Sequence, residues 1–144
     1  MQITFSAAAL PKSGAIVIPV FEDGGKPKAY ADLDKATDGA LERAVKSADF
    51  KGKKGKAVDV VAPAGLGNSR IILVGAGDSK NFSALEAETL GGAAAGRLLS
   101  GADKSAAFAL SGLTVKKLPA DELAAHMANG ARLKCYRFDK YRTK

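Results

Sequence analysis

Several absences narrow the reading of this chain before any motif is sought. It has no tryptophan, one cysteine and one histidine in 144 residues. Cys135 alone closes no internal disulfide, which excludes a disulfide scaffold and makes a reducing cytoplasm the simpler location. A single histidine, His126, leaves no set of candidates for a histidine-based metal cluster, a Cys-His pair or a Ser-His-Asp triad. The longest apolar runs, Ala15 to Phe21 and Ile71 to Val74, fall far short of the roughly 20 residues of a membrane-spanning helix. The opening MQITFSAAAL lacks the basic segment and longer apolar stretch of a secretory leader. A soluble protein without a membrane partner is expected.

What is present is ordinary for a globular domain. Hydrophobic residues make up 47% and charged residues 26%, and 144 residues suffice for one domain with its own core. The net charge of +7 permits a polyanionic partner without requiring one.

Five short runs rich in strand-forming residues, each bounded by Gly, Pro, Ser or Asn, read as strands: Gln2 to Ser6, Ala15 to Val20, Ala57 to Ala62, Arg70 to Val74 and Ala106 to Leu110. Between them lie helical patterns. The first places Ala36, Ala40, Leu41, Ala44, Val45 and Ala48 on one face and ends in a glycine-interrupted lysine run. The second opens on Ser83-Ala-Leu-Glu86, a capping box in which hydroxyl and carboxylate satisfy exposed amide donors. It continues through Gly91-Gly-Ala-Ala-Ala-Gly96, where each glycine costs about 1 kcal/mol of helix propensity relative to alanine. Tight packing of a small-residue face on the sheet would account for that cost. A third helix starts near Pro119 and turns Leu123, Met127, Ala131 and Tyr136 inward. Alternation of strands and helices predicts a layered α/β domain, with Ala57 to Ala62 and Arg70 to Val74 buried on both faces.

Four features could carry chemistry, and each has a plainer reading. Ile71-Ile-Leu-Val-Gly-Ala-Gly-Asp78 resembles the start of a dinucleotide fingerprint, but Lys80 stands at the third glycine position and the capped helix begins several residues later. A strand ending in a glycine turn suffices. His126 follows Glu122 by four residues, the spacing of a side-chain pair on one helix. Cys135 in Lys134-Cys-Tyr-Arg137 reads as a buried structural thiol. Lys51, Lys53, Lys54 and Lys56 form a basic loop that could touch a polyanion; without interleaved aromatics beyond Phe50, a solvated loop is the simpler account. No H-E-x-x-H or G-x-x-x-x-G-K-S/T segment occurs, so no catalytic or metal residue is assigned.

The segment from Ala125 to Lys144, with its Tyr136-x-Phe138-Asp139-x-Tyr141-Arg142 pattern, resembles the end of the amino-terminal domain of leucyl (cytosol) aminopeptidases. The strand near Ile16 to Val20, the Val58 to Ala62 strand, the Arg70 to Asp78 segment and the small-residue helix follow in the family's order. The resemblance implies a three-layer α/β/α domain with a mixed, mostly parallel sheet, similar to macro domains, over residues 1–118, and a closing helix over 119–144 that leads to a peptidase domain. It further implies a cytoplasmic, hexameric parent enzyme that releases leucine-like amino-terminal residues with two divalent metals, Mn or Zn, held in the peptidase domain. The family's Asn-Thr-Asp-Ala-Glu-Gly-Arg-Leu signature is not in this chain, so no cofactor and no hydrolysis are expected of it alone. A nucleic-acid or ADP-ribose-like binding module, using the lysine loop or the Gly75-Ala-Gly77-Asp78 turn, is the alternative.

Overall fold

The computed structural model describes residues 2–6 and 11–141, with residues 2, 4–6 and 137–141 described by backbone alone. Five strands form one sheet: β1 (Gln2–Ser6), β2 (Ala15–Phe21), β3 (Ala57–Val61), β4 (Arg70–Gly77) and β5 (Ser105–Ala109), in the order β1-β5-β2-β4-β3. β1, β5, β2 and β4 are parallel, and β3 runs antiparallel to β4 at one edge. The sheet is therefore mixed and mostly parallel, as expected.

Alternation along the central strands divides the core in two. Ala15 and Val17 of β2 and Ile72, Val74 and Ala76 of β4 face one side, while Ile16, Ile18, Ile71 and Leu73 face the other. Phe21, in step with Ala15 and Val17, faces the first side, where its ring meets Phe82 edge-on at 5.0 Å between centroids. Both strands are covered on both faces, and a fully buried aliphatic side chain stabilises the fold by about 1.5–3 kcal/mol. Pro19 is accommodated inside β2 beyond the stretch, Ala15–Val17, that pairs with β5.

Helices α1 (Lys28–Ala36) and α2 (Ala40–Ala48) cover the second face through Ala29, Tyr30, Leu33 and Leu41. One continuous helical face from Ala36 to Ala48 is thus incorrect. The chain breaks at Thr37–Gly39, where Asp38 (φ 57°) and Gly39 (φ 82°) are left-handed, and Ala36 and Ala48 are exposed. The Thr37 hydroxyl donates to the Leu33 carbonyl at 2.7 Å, and the Asp34 carboxylate accepts from the Glu42 amide at 3.0 Å, closing both ends of the break.

On the first face lie α3 (Ala84–Leu99) and α4 (Ala120–Tyr141). The predicted capping box forms: the Ser83 amide donates to Glu86 Oε1 at 3.0 Å, and the Ser83 hydroxyl reaches the same oxygen. Ala87, Leu90, Ala94 and Leu98 face the sheet, but the glycines do not. A Cβ on Gly91 would collide with the Met127 carbonyl, and one on Gly130 with the Glu88 carbonyl; Gly92 faces Gly130 and Gly96 faces Lys134. The small-residue face therefore seats α3 against α4, side by side and in the same direction, rather than against the sheet. Leu123, Met127 and Ala131 are buried as expected, whereas Tyr136 is 62% exposed and points away from the core.

β3 also departs from expectation. It is an edge strand of intermediate burial whose last residue, Val61, is 71% exposed. Asp59 at its centre explains why: a carboxylate is incompatible with a strand covered on both faces.

Candidate functional site

Charges are distributed unequally along the β3–β4 edge. At the end where β4 begins, Arg70 is held between Asp59, at 2.8 Å, and Asp103, at 2.6 Å. Arg97 of α3 pairs with the other oxygen of Asp59 at 2.8 Å, and the Ser69 hydroxyl donates to Asp103 at 2.7 Å. Burial raises the Asp103 pKa, but the Ser69 hydrogen bond and the Arg70 guanidinium outweigh it and hold the carboxyl below its ordinary value. This network joins β3, β4, α3 and the loop before β5.

The opposite end carries the lysine loop. Gly52 is buried at φ 75°, and a Cβ there would lie 2.7 Å from the Phe21 carbonyl oxygen, so the loop presses on the end of β2. The Gly77 amide donates to the Gly52 carbonyl at 2.9 Å and the Gly75 amide to the Lys56 carbonyl at 2.7 Å. The Gly75-Ala-Gly77 glycines thus admit the lysine segment alongside β4, which continues through Gly77 instead of stopping at Val74. Asp78 then caps a short 3-10 turn, Ser79–Asn81, by accepting from the Lys80 amide at 2.9 Å. In open α/β sheets, ligands favour the crevice where successive crossovers leave on opposite faces, here between the ends of β2 and β4. That crevice is bridged by the Glu22 amide on the Gly77 carbonyl, at 2.9 Å, and by the Ser79 hydroxyl on Asp23, at 2.5 Å. The Ser79 and Gly25 donors hold the Asp23 carboxyl below its ordinary value.

Lys51, Lys53, Lys54 and Lys56 are all exposed. Lys51 makes one long contact with Asp49, at 3.9 Å, of the kind worth little in water. Two cavities flank the segment. One, of about 310 Å³, is lined by Lys51, Lys53 and Lys56 with Phe50, Val58 and Asp49. The other, of about 190 Å³, lies between Lys54–Ala57, β4 and α3. Its α3 wall, including Thr89 and Ala93, was not legible in the sequence: alanines on a helix give no sign of which flank stays uncovered.

The remaining sequence candidates serve structure. His126 Nδ1 meets Glu88 Oε2 on α3 at 3.0 Å, across the α3–α4 contact, and not Glu122 on its own helix. Cys135 is half-buried rather than fully buried. The side chains of Phe138, Asp139 and Tyr141, and residues 142–144, lie outside the described residues. Among the described residues no group of three or more His, Cys, Asp or Glu is placed to hold a metal. Asp59 and Asp103 are committed to arginines, Asp23 to Ser79, and Glu86 Oε1 to its cap. These residues do not fit the family's two metals, and no hydrolytic step follows from them.

Fold and site together define a helix-covered α/β domain with paired structural charges and an open basic edge. The comparisons with known proteins place it further. Residues 17–144 match the cytosol aminopeptidase family, N-terminal domain, and the chain belongs to that family. It is 37% identical over 147 aligned residues to a "Probable cytosol aminopeptidase" of Rhodopseudomonas palustris, covering 100% of this chain and 28% of that protein. A "Probable cytosol aminopeptidase" of Caulobacter vibrioides is 46% identical over 120 residues, covering 81% of this chain and 22% of its own length. The fold is like that of a mutant tomato leucine aminopeptidase, with TM-score 0.75 and 25% identity over 100% of this chain and 30% of that one. The chain thus spans less than a third of the relatives it matches. Among the described residues no helix is long and apolar enough to cross a membrane.

Proposed function

We propose that this chain serves as the non-catalytic amino-terminal domain of a di-metal leucyl aminopeptidase, residues 1–118 forming the body and 119–144 the closing helix toward a peptidase domain. The observation that carries the reading is the match of residues 17–144 to that domain of proteins more than three times as long. The second half of α4 supports it: Leu133 (46% exposed) and Tyr136 (62% exposed) lie three residues apart on one helix face and are left uncovered. In this reading the parent acts in the cytoplasm as a hexamer, and the domain contributes to assembly or to access to the catalytic chamber. Metals, Mn or Zn, belong to the peptidase domain. The test is made in the full-length polypeptide: Leu133→Ser with Tyr136→Ser should lower the hexamer fraction measured by light scattering. An unchanged hexamer with unchanged leucyl-peptide turnover removes the reading.

A second reading, contact with nucleic acid or another polyanion through Lys51, Lys53, Lys54 and Lys56, is favoured by one observation. Three of these lysines line the 310 Å³ cavity together with Phe50. Phosphate contacts would make binding fall steeply with salt, and Lys51→Ala with Lys53→Ala would reduce the salt slope by about two. Salt-independent or absent DNA binding ends this reading.

A further inference from the structure

The smaller groove combines features that the lysine cavity does not. Its α3 wall is a single flank, Glu86, Leu90, Ala93 and Arg97, recurring at three- and four-residue spacing over about 16 Å of helix. Val74 and Ala57 complete an apolar lining along its middle. At about 190 Å³ it lies below the roughly 300–1,000 Å³ of drug-sized sites, so its ligand is small.

Its two ends differ in charge. At one, Arg97 is already satisfied by Asp59. At the other, where β4 ends, Lys54 stands beside Gly77 and near enough to Glu86 to help hold that carboxyl down, after the larger effect of the Ser83 hydrogen bonds. Both Ser83 bonds fall on Oε1 of Glu86, leaving Oε2 outside the capping box. Lys54 and Lys56 make no ion pair among the described residues. A simple anion would meet the Glu86 carboxylate, a simple cation would meet the two lysines, and an uncharged apolar molecule would displace water from both without replacement. A small zwitterion with an aliphatic tail matches all three parts of the groove.

We propose that this groove binds a free aliphatic α-amino acid, with its ammonium on Glu86, its carboxylate on Lys54 and Lys56, and its side chain against Val74, Leu90 and Ala93. The binding goes beyond the domain's place in an aminopeptidase. Its meaning as a product-sensing site does rest on that reading, because such an enzyme releases this class of molecule.

Calorimetry on the 144-residue chain tests the binding without reference to any peptidase activity, so it fails or succeeds independently of the parent enzyme's identity. L-Leucine should bind saturably. 4-Methylpentanoate, which lacks the ammonium, 3-methylbutylamine, which lacks the carboxylate, and glycine, which lacks the tail, should each bind at least about tenfold more weakly. Glu86→Gln keeps the capping box, since glutamine serves there, and should weaken leucine while leaving 4-methylpentanoate unchanged or tighter. Ala93→Phe, at an exposed helix position, should fill the groove and abolish binding; Lys54→Met should weaken leucine and spare 3-methylbutylamine. No saturable heat at millimolar leucine, equal affinity for the four ligands, or full retention of leucine binding in Ala93→Phe and Lys54→Met would overturn the assignment.

Discussion

The two flanks of α3 meet different neighbours and are put to opposite uses. On one, Gly91, Gly92 and Gly96 bring the helix backbone against α4 so closely that no Cβ fits at Gly91 or at Gly130 opposite. On the other, Glu86, Thr89, Ala93 and Arg97 face an open groove with none of the described residues packed into it. Small side chains close an interface when a second helix is available to meet them and leave a cavity when the neighbour is a loop held off by its own backbone pairing. Here that loop is Lys53–Lys56, tied to β4 through Gly75. What a stretch of alanine and glycine does is therefore decided by the neighbour.

Substitutions should break this contrast in graded fashion. Gly130→Val, on the closed flank, forces the α3 backbone at Glu88 away and should cost about 3 kcal/mol or more, read as a lowered urea midpoint at constant slope. Arg70→Ala removes the partner of the almost wholly buried Asp103 carboxylate at the far end of the groove wall. About 2–3 kcal/mol should be lost, because a buried charge is then left unpaired while Arg70 itself is only mostly buried.

Acid should sharpen the same point. The folded pKa of Asp103 lies below its ordinary 3.8, so the folded state binds fewer protons than the unfolded one just below that value. Its contribution is fully present above pH 3.8 and lost as pH falls through the folded value. Thermal unfolding followed over that acid range should show a steeper decline for the native chain than for Asp103→Asn. On the open flank, Thr89→Ala and Ala93→Ser should stay within about 0.5 kcal/mol of the native chain by the same urea titration, since neither fills nor empties a packed site. A large loss at Ala93 would show that the groove is part of the core after all.

Much of the architecture was legible because it depends on local rules. The β-branched runs of β2 and β4, the Ser83–Glu86 box and the inward Leu123, Met127 and Ala131 of α4 are each a matter of spacing along one element. Two departures had signals that spacing alone overrode. Asp38-Gly39 is a turn dipeptide in the middle of the first helical pattern, and it marks the break between α1 and α2. Asp59, alone among the valines of β3, already argues against a strand covered on both sides. For Tyr136 and for the partner of His126 there was no such signal, because helical periodicity gives an angle around one axis but not which neighbour occupies it.

The candidate site follows the same division. The lysine run and the glycines of Gly75-Ala-Gly77 are visible in the sequence, but their relation is not: the glycines admit the backbone of the lysine segment, whose Gly52 and Lys56 carbonyls accept from the Gly77 and Gly75 amides far along the chain. Composition, periodicity and the closing aromatic motif were enough to determine an α/β domain, its order of elements and its family resemblance, since those are properties of neighbours in the chain. Which flank of α3 closes on α4, which carboxylates are committed to arginines and where an apolar strip meets Lys54 and Glu86 were decided only by the tertiary structure, because each depends on distances between segments that local preference does not constrain.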